Sequence, residues 1–364
     1  MKIIVVGAGV FGASTAYHLA RAGAEVVIVD AAHEGRATMA GAGIISPWSS
    51  RVEDPDFYRL SSGGGRLYPG LIAQLAEDGE ADTGYRKVGA MAVTADPAEL
   101  RFMERLIRER QAPEAGVISV LSPVEARTLF PPLREDLAAV HLTGAARVDG
   151  RRLAPALLRA AVRRGAVRRE GTASLLVERD RVRGVRVGGE TIEGDAVVLT
   201  AGAWAPELLA PLGINLPVEP QRGQIVHLRL PGVETGAWPV VSPLSDHYLL
   251  TFDDSRVVVG ATREWGSGFD YRITAGGLAK VLRDALSVAP GLADATLIET
   301  RIGFRPMPTD AKIRLGFAAD GLAVGNGLGA SGLTIGPYAG KLLAELVLNG
   351  KAEIDLTPYR LPGR

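Results

Sequence analysis

The chain reads as an α/β protein with a parallel central sheet, followed by a second, α+β unit built on an antiparallel sheet. Three features predict this. Apolar runs of a single strand's length alternate with helical periodicity at both ends of the chain, and the first and last of them lead into glycine-rich turns. Between them lie alternating or clustered β-branched segments of the kind that form antiparallel strands.

Lys2–Val6 suits a buried parallel strand, residues 12–22 a helix with small residues facing it, and residues 25–29 the next strand, which makes a βαβ unit. Residues 31–50 turn to small side chains, and Gly41, Gly43, Ile44 and Ile45 supply a backbone that can pass close to a ligand. A helix is expected over 66–76, a strand over 87–94 and a charged amphipathic helix over 97–110, with Glu99 in its first turn. Ser122, Pro123 and Glu125 have the spacing of an N-cap, first position and third position of a short helix ending at 129. An arginine-rich helix over 151–164 leads to strands at 167–170, 173–178, 182–187 and 190–193, read together as a small meander. Residues 196–200 are apolar throughout, as in a central strand, and end in Ala201-Gly202. Antiparallel strands are expected at 224–230, 248–252 and 256–260 and a helix at 274–287. A last strand at 322–324, a glycine-rich turn, a helix over 334–348 and a short polar tail complete the chain. The segments divide into a discontinuous nucleotide-binding domain, 1–82, 142–216 and 300–364, and a substrate domain, 83–141 and 217–299.

Composition narrows the chemistry. With 364 residues and 47% apolar side chains the chain can bury a large core. Its 41 basic and 41 acidic side chains cancel, so no bulk field draws it to nucleic acid. The absence of cysteine removes disulfides, thiolate metal sites, a catalytic thiol and any cofactor linkage through sulfur. The five histidines His18, His33, His141, His227 and His247 have no metal-ligand spacing, and no metal is expected. The first apolar run is too short for a signal peptide, and no stretch of about 18 apolar residues occurs, so a soluble cytoplasmic protein is expected.

Gly7, Gly9 and Gly12 form G-x-G-x-x-G between the first strand and helix, and Asp30 closes the second strand. Gly7 permits the tight turn, Gly9 lets the backbone approach a pyrophosphate, and Gly12 allows close helix packing, while the helix N-terminus attracts phosphate. Asp30 suits adenosine ribose hydroxyls and disfavours a 2′-phosphate. This is a Rossmann-like dinucleotide site. A second glycine-rich turn, residues 327–334, again aims amides and a helix N-terminus at a ligand.

GAGVFGASTAYHLARAG, ATMAGAGIIS, VVLTAGAW and GASGLTIGPYAG occur in that order across the chain, which resembles the D-amino-acid oxidase superfamily of flavoproteins. That group includes glycine oxidase, sarcosine oxidase and D-amino-acid dehydrogenases. The resemblance implies non-covalent FAD, with Phe11, Ala31, Thr38, Met39, Gly43, Ile44 and Ile45 along the pyrophosphate and flavin. It implies Ala173 beside the adenine and Ala201 and Gly202 near the cofactor. Gly329, Ala330, Ser331, Gly332, Leu333 and Thr334 would meet the flavin N1–C2=O edge, where donors stabilise the charge of the reduced ring.

For substrate, Arg305 in GFRP matches the family arginine that grips an amino-acid carboxylate, Tyr248 in DHYLL a pocket tyrosine, and Arg222 in QRGQ a second pocket arginine. His247, beside Tyr248, and Trp48, after the flavin segment, are weaker pocket candidates, and Trp204 is read as a packing residue. The implied reaction is oxidation of the C–N bond of a small amino acid, of D-amino-acid or glycine type, by hydride transfer from the α-carbon to flavin N5. The imine then hydrolyses to a keto acid and ammonia, and oxygen or a membrane electron carrier reoxidises the flavin. Two readings compete: a secondary amino acid such as sarcosine or a proline derivative as substrate, and a catalytically silent flavin-binding subunit of a larger complex. Assembly into a homo-oligomer is compatible with all three.

Overall fold

The computed structural model describes residues 1–361; the last three positions of the expected polar tail lie outside the described residues. A six-stranded sheet runs in the order Arg314–Ala319, Leu322–Asn326, Ala196–Leu199, Lys2–Val6, Glu25–Asp30, Val167–Glu170. All neighbours pair in parallel except the antiparallel edge strand Arg314–Ala319. Side chains alternate across the pleat, so Ile3 and Val5 join one core while Ile4 and Val6 join another, which is why these strands read as unbroken apolar runs.

On the first face lie the helices Val10–Arg21, Gly150–Arg163, Pro55–Glu77 and Gly332–Asn349. On the second lies a three-stranded meander, Ala173–Glu178, Arg181–Val187 and Glu190–Glu193. The expected fourth strand of that meander, Val167–Glu170, belongs instead to the central sheet, where it pairs with Glu25–Asp30 as an exposed, charged edge.

The helix expected over 66–76 starts eleven residues earlier, at Pro55, capped by the side chain of Asp54. Ser61, Ser62 and three glycines look like a helix breaker, yet they lie inside it because other elements press on them. A Cβ on Gly63 would stand 2.3 Å from the Tyr338 ring, and one on Gly64 would stand 2.0 Å from the Thr334 carbonyl. Close approach of two helices therefore overrides intrinsic propensity at this point. The shorter helix Pro123–Leu129 has the expected capping box between Ser122 and Glu125.

An eight-stranded sheet forms the second layer, in the order Thr296–Pro308, Val218–Arg229, Arg256–Gly260, Tyr248–Thr251, Val240–Pro243, Ala90–Thr94, Ala138–Leu142, Ile118–Leu121. It is antiparallel apart from the pairing of Val240–Pro243 with Ala90–Thr94. Its longest strand, Thr296–Pro308, has no counterpart among the expected elements. Its outer half starts exposed and mixes apolar Leu297 and Ile298 with polar residues, its inner half carries Gly303, Phe304, Arg305 and Pro306, and neither half alternates cleanly. That inner half reaches back to the first layer, where the Phe304 amide donates to the Gly35 carbonyl at 2.8 Å.

Candidate active site

Parallel strands deliver their carboxyl ends to one edge of a sheet. Lys2–Val6, Ala196–Leu199 and Leu322–Asn326 are neighbours, so the turns that follow them converge, at the point where the chain order reverses. They open onto one cavity of about 620 Å³, within the range of about 300–1,000 Å³ usual for small-molecule sites.

The first turn contributes Gly7, Gly9, Phe11, Asp30 and Ala31 to its wall. Gly7 has φ +104°, and a Cβ there would lie 2.5 Å from the Thr200 carbonyl oxygen. Gly12 stands behind the wall: a Cβ would meet the Gly7 oxygen at 1.9 Å, so its role is the close packing of helix on turn. Asp30 accepts from the Ala8 amide at 2.6 Å and the Ala32 amide at 2.9 Å, and Arg36 lies 3.2 Å from it. The carboxylate therefore shapes the turn as well as facing the cavity.

Thr38, Gly43 and Ile44 line the cavity, whereas Met39 and Ile45 do not. Ile45 is buried in the helix-side core, and Met39 offers its carbonyl to Arg151. The backbone is extended at 44–45, so consecutive side chains point to opposite sides and, of Ile44 and Ile45, only Ile44 faces the cavity. Thr38 is not a plain turn hydroxyl. Its Oγ1 accepts from the Val10 amide at 2.9 Å, serving the first helix as a cap from a distant segment.

Ala173, Ala201 and Gly202 line a further wall, as do Gly329, Ala330, Gly332, Leu333 and Thr334. Ser331 faces elsewhere; its amide closes a turn on the Leu328 carbonyl at 3.0 Å. Thr334 Oγ1 donates to the Ile44 carbonyl at 2.9 Å, tying the last helix to the strand Ile44–Ile45.

At the other end stand Arg305 and Tyr248. Arg305 lies on Thr296–Pro308 opposite Gln221, and its Nη1 donates to Gln221 Oε1 at 3.1 Å and to the Thr262 carbonyl at 3.0 Å. No carboxylate pairs with it among the described residues. Burial pushes the guanidinium's pKa down, and the Tyr248 phenol opposes that shift. Burial likewise raises the Tyr248 phenol, against the pull of Arg305 and Arg263. Two glycines leave space for the pair: a Cβ on Gly223 would meet the Arg305 guanidinium at 2.7 Å, and one on Gly260 the Tyr248 hydroxyl at 2.5 Å.

Arg222, the second expected pocket arginine, does not line the cavity. It lies behind the cavity wall, 7% exposed, ion-paired with Glu264 and with Asp270 at 2.9 Å. Its register neighbour is Phe304, and its guanidinium is taken up by Glu264 and by the carbonyl and carboxylate of Asp270 instead of reaching the cavity. Against the cost of burial, the two carboxylates hold its pKa above the ordinary value. His247 pairs with Asp284 at 2.6 Å and Trp48 is buried in the core, both away from the cavity.

Residues that sequence reasoning missed also line the site. Trp204, expected only to pack, stacks on the rings of His33 and Phe269, each centred 4.7 Å away and nearly parallel to it. Asn326, Arg36 and Arg263 stand in the wall with them. The signals were slight: Asn326 precedes the last glycine turn, Arg36 the ATMAGAG segment, and Arg263 follows a strand. The rest of the cavity fits FAD: an acidic residue and Ala173 at one end, helix N-termini and glycine turns between, and a third glycine turn beside Arg305. Among the described residues no cluster of ligands suits a metal ion, and no helix is long and apolar enough to cross a membrane.

Comparison with known proteins agrees with this geometry. The chain is 50% identical over 361 residues to an uncharacterized oxidoreductase, YurR, of Bacillus subtilis (strain 168), covering 98% of this chain and 97% of the other. It is 32% identical to glycine oxidase of Pseudomonas aeruginosa, covering 100% and 99% of the two chains. The crystal structure of iminodiacetate oxidase from Chelativorans sp. BNC1 superposes with a TM-score of 0.96 at 52% identity, over 99% of this chain and 98% of that one. The model of the DAO family, described as FAD dependent oxidoreductase, matches residues 2–346, and the chain belongs to that family of FAD-dependent enzymes.

Proposed function

We propose that this protein oxidises the C–N bond of a small amino acid whose carboxylate binds Arg305 and Tyr248. The observation that carries the reading is Arg305: a cation enclosed by the protein, open only to the cavity and lacking an acidic partner. A buried charge without a counter-ion is costly, and a ligand carboxylate supplies one. Gln221 and the Thr262 carbonyl anchor Nη1, which leaves the rest of the planar fork for two-point recognition.

FAD would be held by the glycine turns and by the Thr38, Asn326 and Thr334 segments, and when bound would supply a two-electron acceptor. The protein's own part is to orient and to exclude water. Arg305 and Tyr248 fix the carboxylate, while Ile225, Phe304 and Leu333 give the cavity apolar surface beside it. The amine enters neutral, so no lysine or histidine base is required. The imine product hydrolyses in water to a keto acid and ammonia or, from a secondary amine, to a keto or aldehyde acid and a primary amine.

The likeness to iminodiacetate oxidase favours a secondary amine of the N-substituted glycine type over a primary amino acid, and the likeness to glycine oxidase supports the shared glycine half. We further propose that 1–82, 142–216 and 300–364 hold the cofactor while 83–141 and 217–299 shape the substrate end, and that the flavin is bound non-covalently. Reoxidation by oxygen or by a membrane carrier is distinguished by measuring peroxide and dye reduction side by side.

The test is anaerobic mixing of the purified holoprotein with glycine, sarcosine, iminodiacetate, proline and both alanine enantiomers. Bleaching of the flavin by at least one supports the enzyme. If none bleaches it, the reading fails in favour of a silent flavin-binding subunit.

A further inference from the structure

We infer that residues 264–270 form a clasp over the cofactor cavity, in which Phe269, stacked on Trp204, keeps FAD from leaving. Release of FAD then requires the tip of this segment to swing outward. The inference depends on the cofactor alone and holds whichever amine is oxidised.

The base of the clasp is fixed. Between Gly260 and Ala275 the chain forms neither helix nor strand, yet one buried side chain ties the two ends of the turn together. Arg222 holds the Glu264 carboxylate through Nε at 3.0 Å and Nη2 at 2.5 Å, while its Nη1 donates to the Asp270 carbonyl at 3.1 Å. The Arg222 and Glu264 backbones exchange two further bonds, at 3.0 and 2.9 Å.

The tip between these anchors, residues 265–269, is built to pivot. Gly266 and Gly268 have φ +71° and +53°, and nothing lies within 4 Å of a Cβ placed on either, so conformation and not packing calls for glycine there. Ser267 Oγ, between them, is buried without a hydrogen-bond partner among the described residues. An unmet hydroxyl weighs against the closed position, which leaves aromatic contacts to hold it.

Phe269 supplies those contacts. Its ring stacks on Trp204 at 4.7 Å between centres and meets Phe304 edge-on at 5.3 Å. Trp204 and Phe304 line the cavity, whereas Phe269 backs them from outside. Phe269 is 37% exposed, and Trp204 and Phe304 belong to a small apolar cluster separate from the larger cores, so the latch can part without disturbing the fold. Trp204 also stacks on His33, three positions beyond Asp30, and Phe304 adjoins Arg305. The wall behind the clasp therefore runs from the nucleotide end of the cavity toward its substrate end. With no cysteine in the chain, no thioether can tether the flavin, and its retention falls to this wall.

The lack of cysteine also makes the test clean. Ser267→Cys introduces a single thiol, shielded while the clasp is closed, and its reaction with dithiodipyridine reads opening. Bound FAD is expected to slow this labelling about tenfold or more relative to the apoprotein. FAD release, followed as the rise in flavin fluorescence on dilution, is expected to be about tenfold faster in Phe269→Ala, the size of change that two lost aromatic contacts give. Phe269→Tyr keeps the ring and should release FAD at the wild-type rate, with apoprotein melting measured beside each variant. Equal labelling with and without FAD, or release from Phe269→Ala within about twofold of wild type, overturns the clasp. Faster release that Phe269→Tyr shares, or that follows a lowered apoprotein melting temperature, overturns it too, because it marks a general loss of fold. A changed binding rate for a carboxylate inhibitor with FAD release unchanged would make the segment a substrate gate and also overturns it. No arm needs turnover, so these results stand apart from the bleaching test.

Discussion

The Asn326 side chain bonds to Gly202, 124 positions away: Nδ2 donates to the Gly202 carbonyl at 2.9 Å, while Oδ1 accepts from the Gly327 amide at 2.7 Å. One buried amide thus joins the turn after Ala196–Leu199 to the turn after Leu322–Asn326, both of which face the cavity. Only a side chain with a donor and an acceptor on the same carbon satisfies both groups.

Asn326→Asp puts an acceptor against the Gly202 carbonyl. A buried bond lost in this way costs about 1–3 kcal/mol, so the variant should unfold at lower temperature and lose FAD faster on dialysis. Unchanged melting and unchanged FAD retention would show that the two turns are held together by something else.

Arg305→Leu should keep the yellow flavin spectrum, because the residue stands at the substrate end. Stranding a desolvated substrate carboxylate without its partner costs about 2–5 kcal/mol, which lowers kcat/KM by about 30- to 5,000-fold, chiefly through KM. Steady-state kinetics with the best substrate decide it; a KM within twofold of wild type removes Arg305 from the site.

Gly223→Ala offers a subtler test. The added methyl meets only the guanidinium tip of Arg305, at 2.7–2.8 Å, so the side chain must move and the fold need not. Misplacement by about 1 Å costs up to about 10²-fold in rate. The expected result is a clear loss in kcat/KM with nearly wild-type thermal stability; full activity would mean that Arg305 has slack.

Arg222→Met separates structure from recognition. Removing one partner of a largely buried ion pair costs about 3–5 kcal/mol, so the unfolding midpoint in urea should fall distinctly. Arg222 does not reach the cavity, and KM should stay within about threefold. A large KM change with normal stability would return Arg222 to the substrate site.

Stability should also respond to pH through two buried histidines. His227 is held at about 3, first by burial and then by Arg301 and Arg256; His18 is held at about 3, first by burial and then by Lys341 and Arg21. Both lie below the ordinary value of 6.5, so between about 3 and 6.5 the unfolded chain binds protons that the native chain refuses. Stability therefore rises with pH across that window, by about 1.4 kcal/mol per pH unit for each histidine, and levels off above it. Urea unfolding at pH 5 and pH 7 measures the slope, and His227→Gln should reduce it; equal stability at the two values refutes the assignment.

Much of the architecture was legible because it is local. Gly7, Gly9 and Gly12 are demanded by a turn whose atoms lie within a few residues, and the capping box at Ser122 and Glu125 closes over three. Unbroken apolar runs identify strands covered on both faces without reference to what covers them. The helix at Pro55–Glu77 was only half legible, since its glycines answer to Tyr338 and Thr334 and not to their own neighbours. The strand Thr296–Pro308 was not legible at all: its side chains face solvent, a core and a cavity in turn, so no period survives.

For the site, the glycine turns marked the nucleotide end because each is written at fixed positions, while Arg305 and Tyr248 were suggested by the family resemblance alone. Which arginine reaches the cavity was settled by its ion pairs. Arg222 and Arg305 look equivalent as letters, but Glu264 and Asp270 hold Arg222, while no carboxylate pairs with Arg305 among the described residues. Trp204, Asn326 and Arg263 gain their places only when segments far apart in the chain meet. Sterics act over a few bonds and are written residue by residue, whereas charge pairing, stacking and cavity shape act through space and exist only once the chain has closed on itself.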